Sequence, residues 1–172
     1  MILTGAQIVE EVKRGAITIS RFDEAFVEPN SYGFHLGRTL CVYDDAEVDA
    51  YGDRSVHQIA IPETGYVLEP DHFYLGYTEE CMGGDNYSAE LYARYSTSAC
   101  GIFIQTSAPL GHTGAIINWT LEIVVAQEVR VYPGMLIGKI CFWKNLGTIE
   151  PYSGRYRMSR SVVPSRLTSG AQ

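Results

Sequence analysis

One acidic side chain in an apolar segment is the first candidate for chemistry. Glu122 lies in the run 119–125, whose other members are mostly apolar. An unpaired carboxylate in such surroundings costs free energy, because burial removes its hydrating water. A carboxylate held in place can also take a proton from a reacting group and return it. We therefore favour a functional role for Glu122 over the alternative, an ordinary outward-facing residue on a half-buried strand.

A basic segment near the end of the chain is a candidate for anion binding. The net charge of the 172 residues is −7, which opposes nonspecific binding to nucleic acid. The segment 152–166 nevertheless contains four arginines and no acid. It is either a solvated, disordered tail or an anion-binding arm, and the alternation of tyrosine with arginine favours ordered contacts. The candidate residues are Tyr152, Arg155, Tyr156, Arg157 and Arg160.

Two further side chains, Arg94 and His112, have alternative interpretations. The guanidinium of Arg94 can bind phosphate oxygens through two N–H groups. Alternatively, Arg94 forms a surface salt bridge with Glu90, which lies on the same face of an extended strand four residues earlier. A histidine can serve as a base near neutral pH, which makes His112 a candidate, but a lone histidine is more often an ordinary loop residue.

The cysteines and histidines do not indicate a metal site. The four cysteines are widely spread without a CxxC pair, and the four histidines are equally scattered. We therefore expect neither disulfides nor zinc. No apolar run is long enough to span a bilayer, so we expect no membrane partner. The first 15 residues lack the basic flank and apolar core of a secretory signal, which predicts a cytoplasmic protein.

The elements that position these residues are predicted to be mainly β-strands. Residues 4–14 predict one helix, in which Thr4 and Gln7 form a capping box and Gly15 follows the end. Short segments rich in Val, Ile, Tyr and Phe predict the strands. They are 16–20, 31–36, 57–61, 65–68, 73–78, 89–95, 102–106, 115–126, 129–132 and 136–143. Residues 83–86 predict a flexible loop. This pattern predicts an all-β sandwich or barrel with a short N-terminal helix.

The length fits one domain with its own core. We assign residues 1–166 to this single domain and residues 167–172 to a flexible C-terminal tail.

Several segments, taken in order, resemble the dCTP deaminases of the dUTPase-like superfamily. Residues 29–37 (PNSYGFHLG) resemble the family's PSSIDVRLG strand, and residues 94–101 resemble its GRSSLARLG segment. Residues 120–122 (TLE) resemble the strand that carries the family's catalytic glutamate. Residues 133–138 (PGMLIG) match its PGMxIG turn, and residues 151–166 resemble its C-terminal arm. The similarity covers nearly the whole chain.

This resemblance implies a distorted β-barrel, a homotrimer, and active sites shared between neighbouring subunits. It implies zinc-free hydrolytic deamination of dCTP, or of a modified deoxycytidine nucleotide, to the dUTP-type product, with Mg²⁺ carried on the triphosphate. Glu122 then shuttles protons between the attacking water and N3 and N4 of cytosine. Arg94, Tyr95 and Ser96 fall on the phosphate-binding segment. Ala108 leaves room for the pyrimidine, and the arm covers the triphosphate.

The chain departs from the family pattern at several positions. Tyr95 replaces a serine, Ala99 replaces the second arginine, and Gly33 replaces an aspartate. His112 stands where the family has an aspartate, a position that in dUTPases activates water. Losing one preorganised donor typically costs about 100- to 1,000-fold in rate. Two alternatives therefore remain, a dUTPase-like pyrophosphohydrolase that takes dUTP, and a catalytically impaired homologue that binds a nucleotide or a protein.

Overall fold

The computed structural model describes residues 1–104 and 107–168. Short strands dominate this structure. Of its two α-helices, one precedes the first strand and the other lies between the eighth and ninth strands. In chain order the elements are α1 (Gly5–Lys13), β1 (Ile17–Ile19), a 3₁₀ turn (Glu24–Phe26), β2 (Val27–Glu28), β3 (Ser31–His35), β4 (Thr39–Tyr43), β5 (Val56–Ala60), β6 (Tyr66–Leu68), β7 (Tyr74–Gly84), β8 (Tyr87–Ala93), α2 (Tyr95–Ala99), β9 (Ile102–Phe103), β10 (Leu110–Gly111), β11 (Ile117–Val125), β12 (Val129–Val131) and β13 (Leu136–Lys144). The all-β prediction is confirmed.

The strands pair antiparallel in two main sheets. One sheet has the order β5-β4-β7-β11-β9, and β1 also pairs with β7. The other has the order β10-β8-β13-β3-β2, and β12 pairs with β6 separately. Strands β7 and β11 form the centre of the first sheet, where Glu122 lies opposite Leu75. A register shift between Asn118 and Thr120 interrupts this pairing.

Strand alternation determines which face of β11 is buried. Leu121 and Ile123 are fully buried in the core, together with Tyr32, Phe34 and Phe142 from the other sheet. Because successive side chains of a strand point to opposite faces, the residues between them face away from this core. These residues, Thr120, Glu122 and Val124, are half-buried. The same pattern that builds the core therefore presents Glu122 on the outer face of the sheet.

The predicted helix is confirmed, but its capping box is only half formed. The Thr4 hydroxyl accepts from the Gln7 backbone N–H at 3.3 Å. The Gln7 side chain donates to Glu11 at 2.8 Å and does not return to Thr4. Gly15 follows the helix with a φ of 77°, as a residue after a helix end often does.

Two sequence predictions are wrong in detail, and strands β2, β4 and β10 were not predicted. Gly83 and Gly84 end β7 and pair with β1, so only 85–86 form the turn that was predicted as a loop over 83–86. Strand β8 ends at Ala93, and Tyr95 begins α2. Strand β4 was not predicted, although its sequence TLCVY favours a strand and lies between Gly37 and Asp44, which are turn residues. Residues 105–106 of the predicted strand 102–106, and 169–172 of the predicted tail, lie outside the described residues. Among the described residues, no helix is long and apolar enough to cross a membrane.

Candidate active site

Glu122 faces a cavity of about 590 Å³ on the outer side of the first sheet. Strands β7 and β11 form its floor through Leu75, Ile117 and Glu122. The remaining wall is mainly apolar and aromatic and comes from four parts of the chain, at residues 43, 73, 108–120 and 152–165. Its residues are Tyr43, Phe73, Ala108, Leu110, His112, Ala115, Trp119, Thr120, Tyr152, Tyr156, Ser159, Val163 and Ser165. A cavity of this size and lining fits a small organic ligand with a planar ring.

The Glu122 side chain makes neither a hydrogen bond nor a salt bridge with residues 1–104 and 107–168. Its half-buried carboxylate lies among apolar groups, and its neighbour across the strand pair is Leu75. A polar group that is partly removed from water gains most from a ligand that can hydrogen-bond to it. The geometry therefore makes this carboxylate available for proton transfer to a molecule in the cavity.

His112 is exposed and lies at the rim of the same cavity. Its ring stacks on Tyr152 with centroids 5.6 Å apart and an interplanar angle of 18°. The turn that carries it is held on the body, since the Gly114 N–H donates to the Gly84 carbonyl at 2.9 Å. Thr113 fixes the start of the C-terminal arm, because its carbonyl accepts from the Tyr152 N–H at 2.8 Å.

The C-terminal arm, residues 151–168, crosses the outer face of β11. The Asn118 N–H donates to the Ser159 carbonyl at 3.2 Å, and the Val163 N–H donates to the Thr120 hydroxyl at 3.1 Å. These contacts place Tyr152 and Tyr156 against the cavity. The arm therefore forms one wall of the site that contains Glu122. The sequence hypothesis places Glu122 and the arm at one site, and the structure brings them together.

The arginines of the arm are not among the described residues that line the cavity. Arg155 and Arg166 each donate to the other's backbone carbonyl, and the Arg166 guanidinium lies 5.7 Å from the centre of the Tyr156 ring. Arg160 donates to the Ile116 carbonyl at 3.2 Å, and Arg157 is exposed. In the described part of the chain, no carboxylate pairs with an arginine of the arm. The arm thus presents positive charge beside the cavity, not inside it.

The segment that begins at Arg94 does not reach the cavity of its own chain. Arg94 pairs with Glu28 at 3.3 Å, so the alternative pairing with Glu90 is wrong. Glu90 instead accepts from the Tyr92 hydroxyl at 2.5 Å. The reason is that β8 ends before Arg94, which caps α2, so the same-face relation of an extended strand no longer applies.

The structure therefore divides the predicted site residues into two groups. Those that line the cavity are Glu122, His112, Ala108, Tyr152 and Tyr156. Those absent from its described lining are Arg94, Tyr95, Ser96, Arg155, Arg157 and Arg160. Tyr95, which replaces the family serine, is 87% exposed at the start of α2.

Sequence analysis missed the aromatic wall formed by Tyr43, Phe73 and Trp119. No motif marks these residues, because they come from separate strands and loops. Gly111 leaves room for one of these rings, because an added Cβ there would lie 2.5 Å from the Trp119 ring. The Trp119 indole N–H donates to the Met82 carbonyl at 3.0 Å, which fixes the ring in place.

No group of three or more His, Cys, Asp or Glu side chains is arranged to hold a metal ion in the part of the chain that the structure describes. All four cysteines are free.

Comparison with known proteins gives a consistent family. A family model described as dCTP deaminase-like matches residues 2–145. The dUMP-forming dCTP deaminase of Clostridium acetobutylicum is 38% identical over 168 residues, which cover 97% of this chain and 96% of that protein. The dUMP-forming dCTP deaminase of Cytophaga hutchinsonii is 36% identical over the same length and coverage.

A solved structure supports the fold. The crystal structure of the 2'-deoxycytidine 5'-triphosphate deaminase from Agrobacterium tumefaciens matches with a TM-score of 0.65 at 20% identity. The match covers 84% of this chain and 48% of that chain, so this protein corresponds to about half of its length. The family match over most of the chain and the nearly full-length relatives confirm the resemblance, and the chain belongs to the dCTP deaminase-like family.

Proposed function

We propose that this protein deaminates dCTP by hydrolysis, with Glu122 as the catalytic proton carrier. The observation that carries the proposal is the half-buried Glu122 carboxylate, which faces the cavity of about 590 Å³ without a partner among the described residues. Family membership and the names of the two relatives support dCTP as the substrate.

The proposed chemistry uses a carboxylate that carries protons and a mainly apolar site that accepts a planar ring. The cytosine ring packs against the apolar and aromatic wall, where Ala108 leaves space beside it. Water adds to C4 while Glu122 accepts its proton and delivers it to N3. Glu122 then takes the remaining proton from the C4 hydroxyl and delivers it to N4, so that the C4 carbonyl forms, the C4–N4 bond breaks and ammonia leaves. The sum is dCTP and water giving dUTP and ammonia, and a resident zinc ion has no part in the proposal.

The triphosphate is proposed to lie along the arm. Arg155, Arg157 and Arg160 carry positive charge without carboxylate partners in the described chain, so anionic oxygens can bind them without first displacing an ion pair. Mg²⁺ carried on the phosphates would neutralise part of their charge. Since Arg94, Tyr95 and Ser96 lie off this chain's cavity, we propose that they serve the cavity of a neighbouring copy in a homotrimer.

The end product is a separate question, because both relatives are named as dUMP-forming. We propose that diphosphate release follows deamination here too, with a second water converting dUTP to dUMP and diphosphate. His112 is the candidate base for this step, since it lies at the cavity rim beside Tyr152. The impaired-homologue alternative rests on Tyr95 and Ala99, which remove two donors that the family pattern contains.

The test uses purified protein, Mg²⁺ and a panel of deoxynucleoside triphosphates, with ammonia and nucleotide products measured separately. Wild type is expected to release ammonia from dCTP. Glu122→Gln is expected to lower kcat at least about 100-fold, because the glutamine amide cannot act as a general acid or base. Glu128→Gln, the same change at an exposed glutamate beyond β11, is the control. No ammonia from any nucleotide, or equal rates for the Glu122 variant and wild type, would refute the proposal.

Product analysis decides the second step. Wild type is expected to yield dUMP and diphosphate, whereas His112→Ala is expected to accumulate dUTP while ammonia release continues. If wild type stops at dUTP, the second step is absent. If the His112 variant still forms dUMP at the wild-type rate, His112 is not its base.

A further inference from the structure

The far end of the C-terminal arm is held by an arginine that no sequence motif singled out. Arg54 precedes β5 and reaches across to the arm with both terminal nitrogens. Its Nη1 donates to the Ser165 carbonyl at 3.4 Å, and its Nη2 donates to the Leu167 carbonyl at 3.0 Å. These contacts join residues more than one hundred positions apart in the chain. A neighbouring side chain adds to them, since the Tyr43 hydroxyl accepts from the Ser165 N–H at 3.1 Å.

Arg54 projects from a hairpin end that is itself fixed. The Asp44 N–H donates to the Ser55 carbonyl at 3.1 Å, and the Ser55 hydroxyl donates to the Asp44 carboxylate at 2.5 Å. The other oxygen of that carboxylate contacts the His57 ring nitrogen at 2.5 Å. Asp44 thus closes the base of the loop that carries Arg54. The arginine is therefore presented to the arm by a braced element of the first sheet.

The contact matters because the arm is one wall of the cavity. Arm residues Tyr152, Tyr156, Val163 and Ser165 all line it. Strand β11 holds the middle of the arm through Thr120 and Val163. Beyond that point, the hydrogen bonds of the described residues between 165–167 and the rest of the body are those with Tyr43 and Arg54. Arg54 also lines a second, adjoining cavity of about 900 Å³ and not the cavity of Glu122.

We propose that Arg54 is a positioning residue that fastens the end of the C-terminal arm and so keeps the arm's wall closed over the cavity. Its bonds are exposed to solvent, so they can break when a nucleotide enters and form again afterwards. The planar fork of arginine suits two carbonyls at once, whereas a lysine ammonium is a single point donor. The proposal that substrate binding depends on this wall rests on the proposed function, but the attachment of the arm does not.

The test compares Arg54→Ala and Arg54→Lys with wild type by amide hydrogen exchange and by steady-state kinetics on dCTP. Arg54→Ala is expected to exchange faster at 163–167 and to raise KM about five- to ten-fold, with kcat changed less than about two-fold, since Glu122 is untouched. Arg54→Lys is expected to fall between the alanine variant and wild type in both measurements. A general loss of structure would instead speed exchange in both sheets and lower kcat.

Arg130→Ala is the matched control, because Arg130 also caps two backbone carbonyls, those of Thr64 and Gly65, away from both cavities. It is expected to leave arm exchange and KM unchanged. Unchanged exchange of the arm in Arg54→Ala would overturn the proposal. Faster exchange with an unaltered KM would overturn its link to substrate binding. If wild type does not turn over dCTP, the proposed function fails, yet the exchange comparison still decides whether Arg54 fastens the arm.

Discussion

Among individual residues, the environment of each carboxylate separates those that can act on a ligand from those that hold the fold. Glu122 lies half-buried in a cavity wall, and no described side chain donates to it. Glu11 is more deeply buried on α1, but Gln7 donates to it at 2.8 Å and Arg14 pairs with it. A fully engaged carboxylate stabilises the folded state, whereas a carboxylate without a partner has capacity left for a substrate.

Glu11 gives a prediction for stability against pH. Burial raises the pKa of its carboxyl, but hydrogen bonds from Gln7, Arg14 and Tyr87 outweigh burial and lower the pKa below its ordinary value of 4.5. Its contribution is therefore fully present above pH 4.5 and is lost as pH falls through the lower folded-state pKa. Glu11→Gln is expected to reduce the free energy of unfolding by about 1.5–3 kcal/mol at neutral pH, measured in urea.

The difference between this variant and wild type is expected to narrow as the solution is acidified below pH 4.5. The control is Glu10→Gln, which changes an exposed neighbour on the same helix and is expected to leave stability unchanged. A difference that stays constant into strong acid would contradict the assignment of the effect to the ionised carboxylate.

At the level of elements, the end of β7 supports the turn that carries His112. Gly83 pairs with β1, and an added Cβ at Gly83 would lie 2.0 Å from the Ala115 carbonyl oxygen. Ala115 lines the cavity and follows His112 in the turn. Close approach of two backbones, which requires a residue without a side chain, therefore sets the position of the cavity's rim.

Gly83→Ala is accordingly expected to lower the free energy of unfolding by about 1–3 kcal/mol, because the backbone must shift to relieve the overlap. Turnover of dCTP is expected to fall with it, since the shifted turn carries His112 and Ala115. Unfolding in urea and steady-state assays measure the two effects. Gly33→Ala should cost less, because its nearest neighbour, at 3.0 Å, is the end of the Leu136 side chain. Equal costs at both glycines would contradict the argument.

For the whole molecule, a single chain holds only part of the proposed site. Glu122 and the arm meet at one cavity, while Arg94 pairs with Glu28 and Tyr95 is exposed. Tyr95 is 87% exposed and stands next to Arg94 and Ser96, the residues that the proposed function assigns to a neighbouring copy's cavity. A second copy that places its α2 near the first copy's arm would complete the set of groups around a triphosphate.

The prediction is a homotrimer with shared sites. Light scattering in solution is expected to give about three times the 19.1 kDa mass of the chain. Glu122→Gln and Arg94→Ala are each expected to be inactive alone. Co-expressed, they are expected to recover part of the activity, since some mixed trimers contain one intact pairing of Glu122 with Arg94. A monomer, or mixtures without recovery, would contradict shared sites.

The sequence alone determined the all-β class, the helix α1, most of the strands, and the two groups that meet at the cavity, Glu122 and the C-terminal arm. These follow from local patterns, because strand alternation and the clustering of like charges depend on residues close in the chain. Only the tertiary structure decided that Arg94 pairs with Glu28, that Gly83 belongs to a strand, and that the arm's arginines lie outside the wall. It also brought Arg54 to Ser165. Such contacts depend on how distant segments pack, and no short stretch of sequence contains that information.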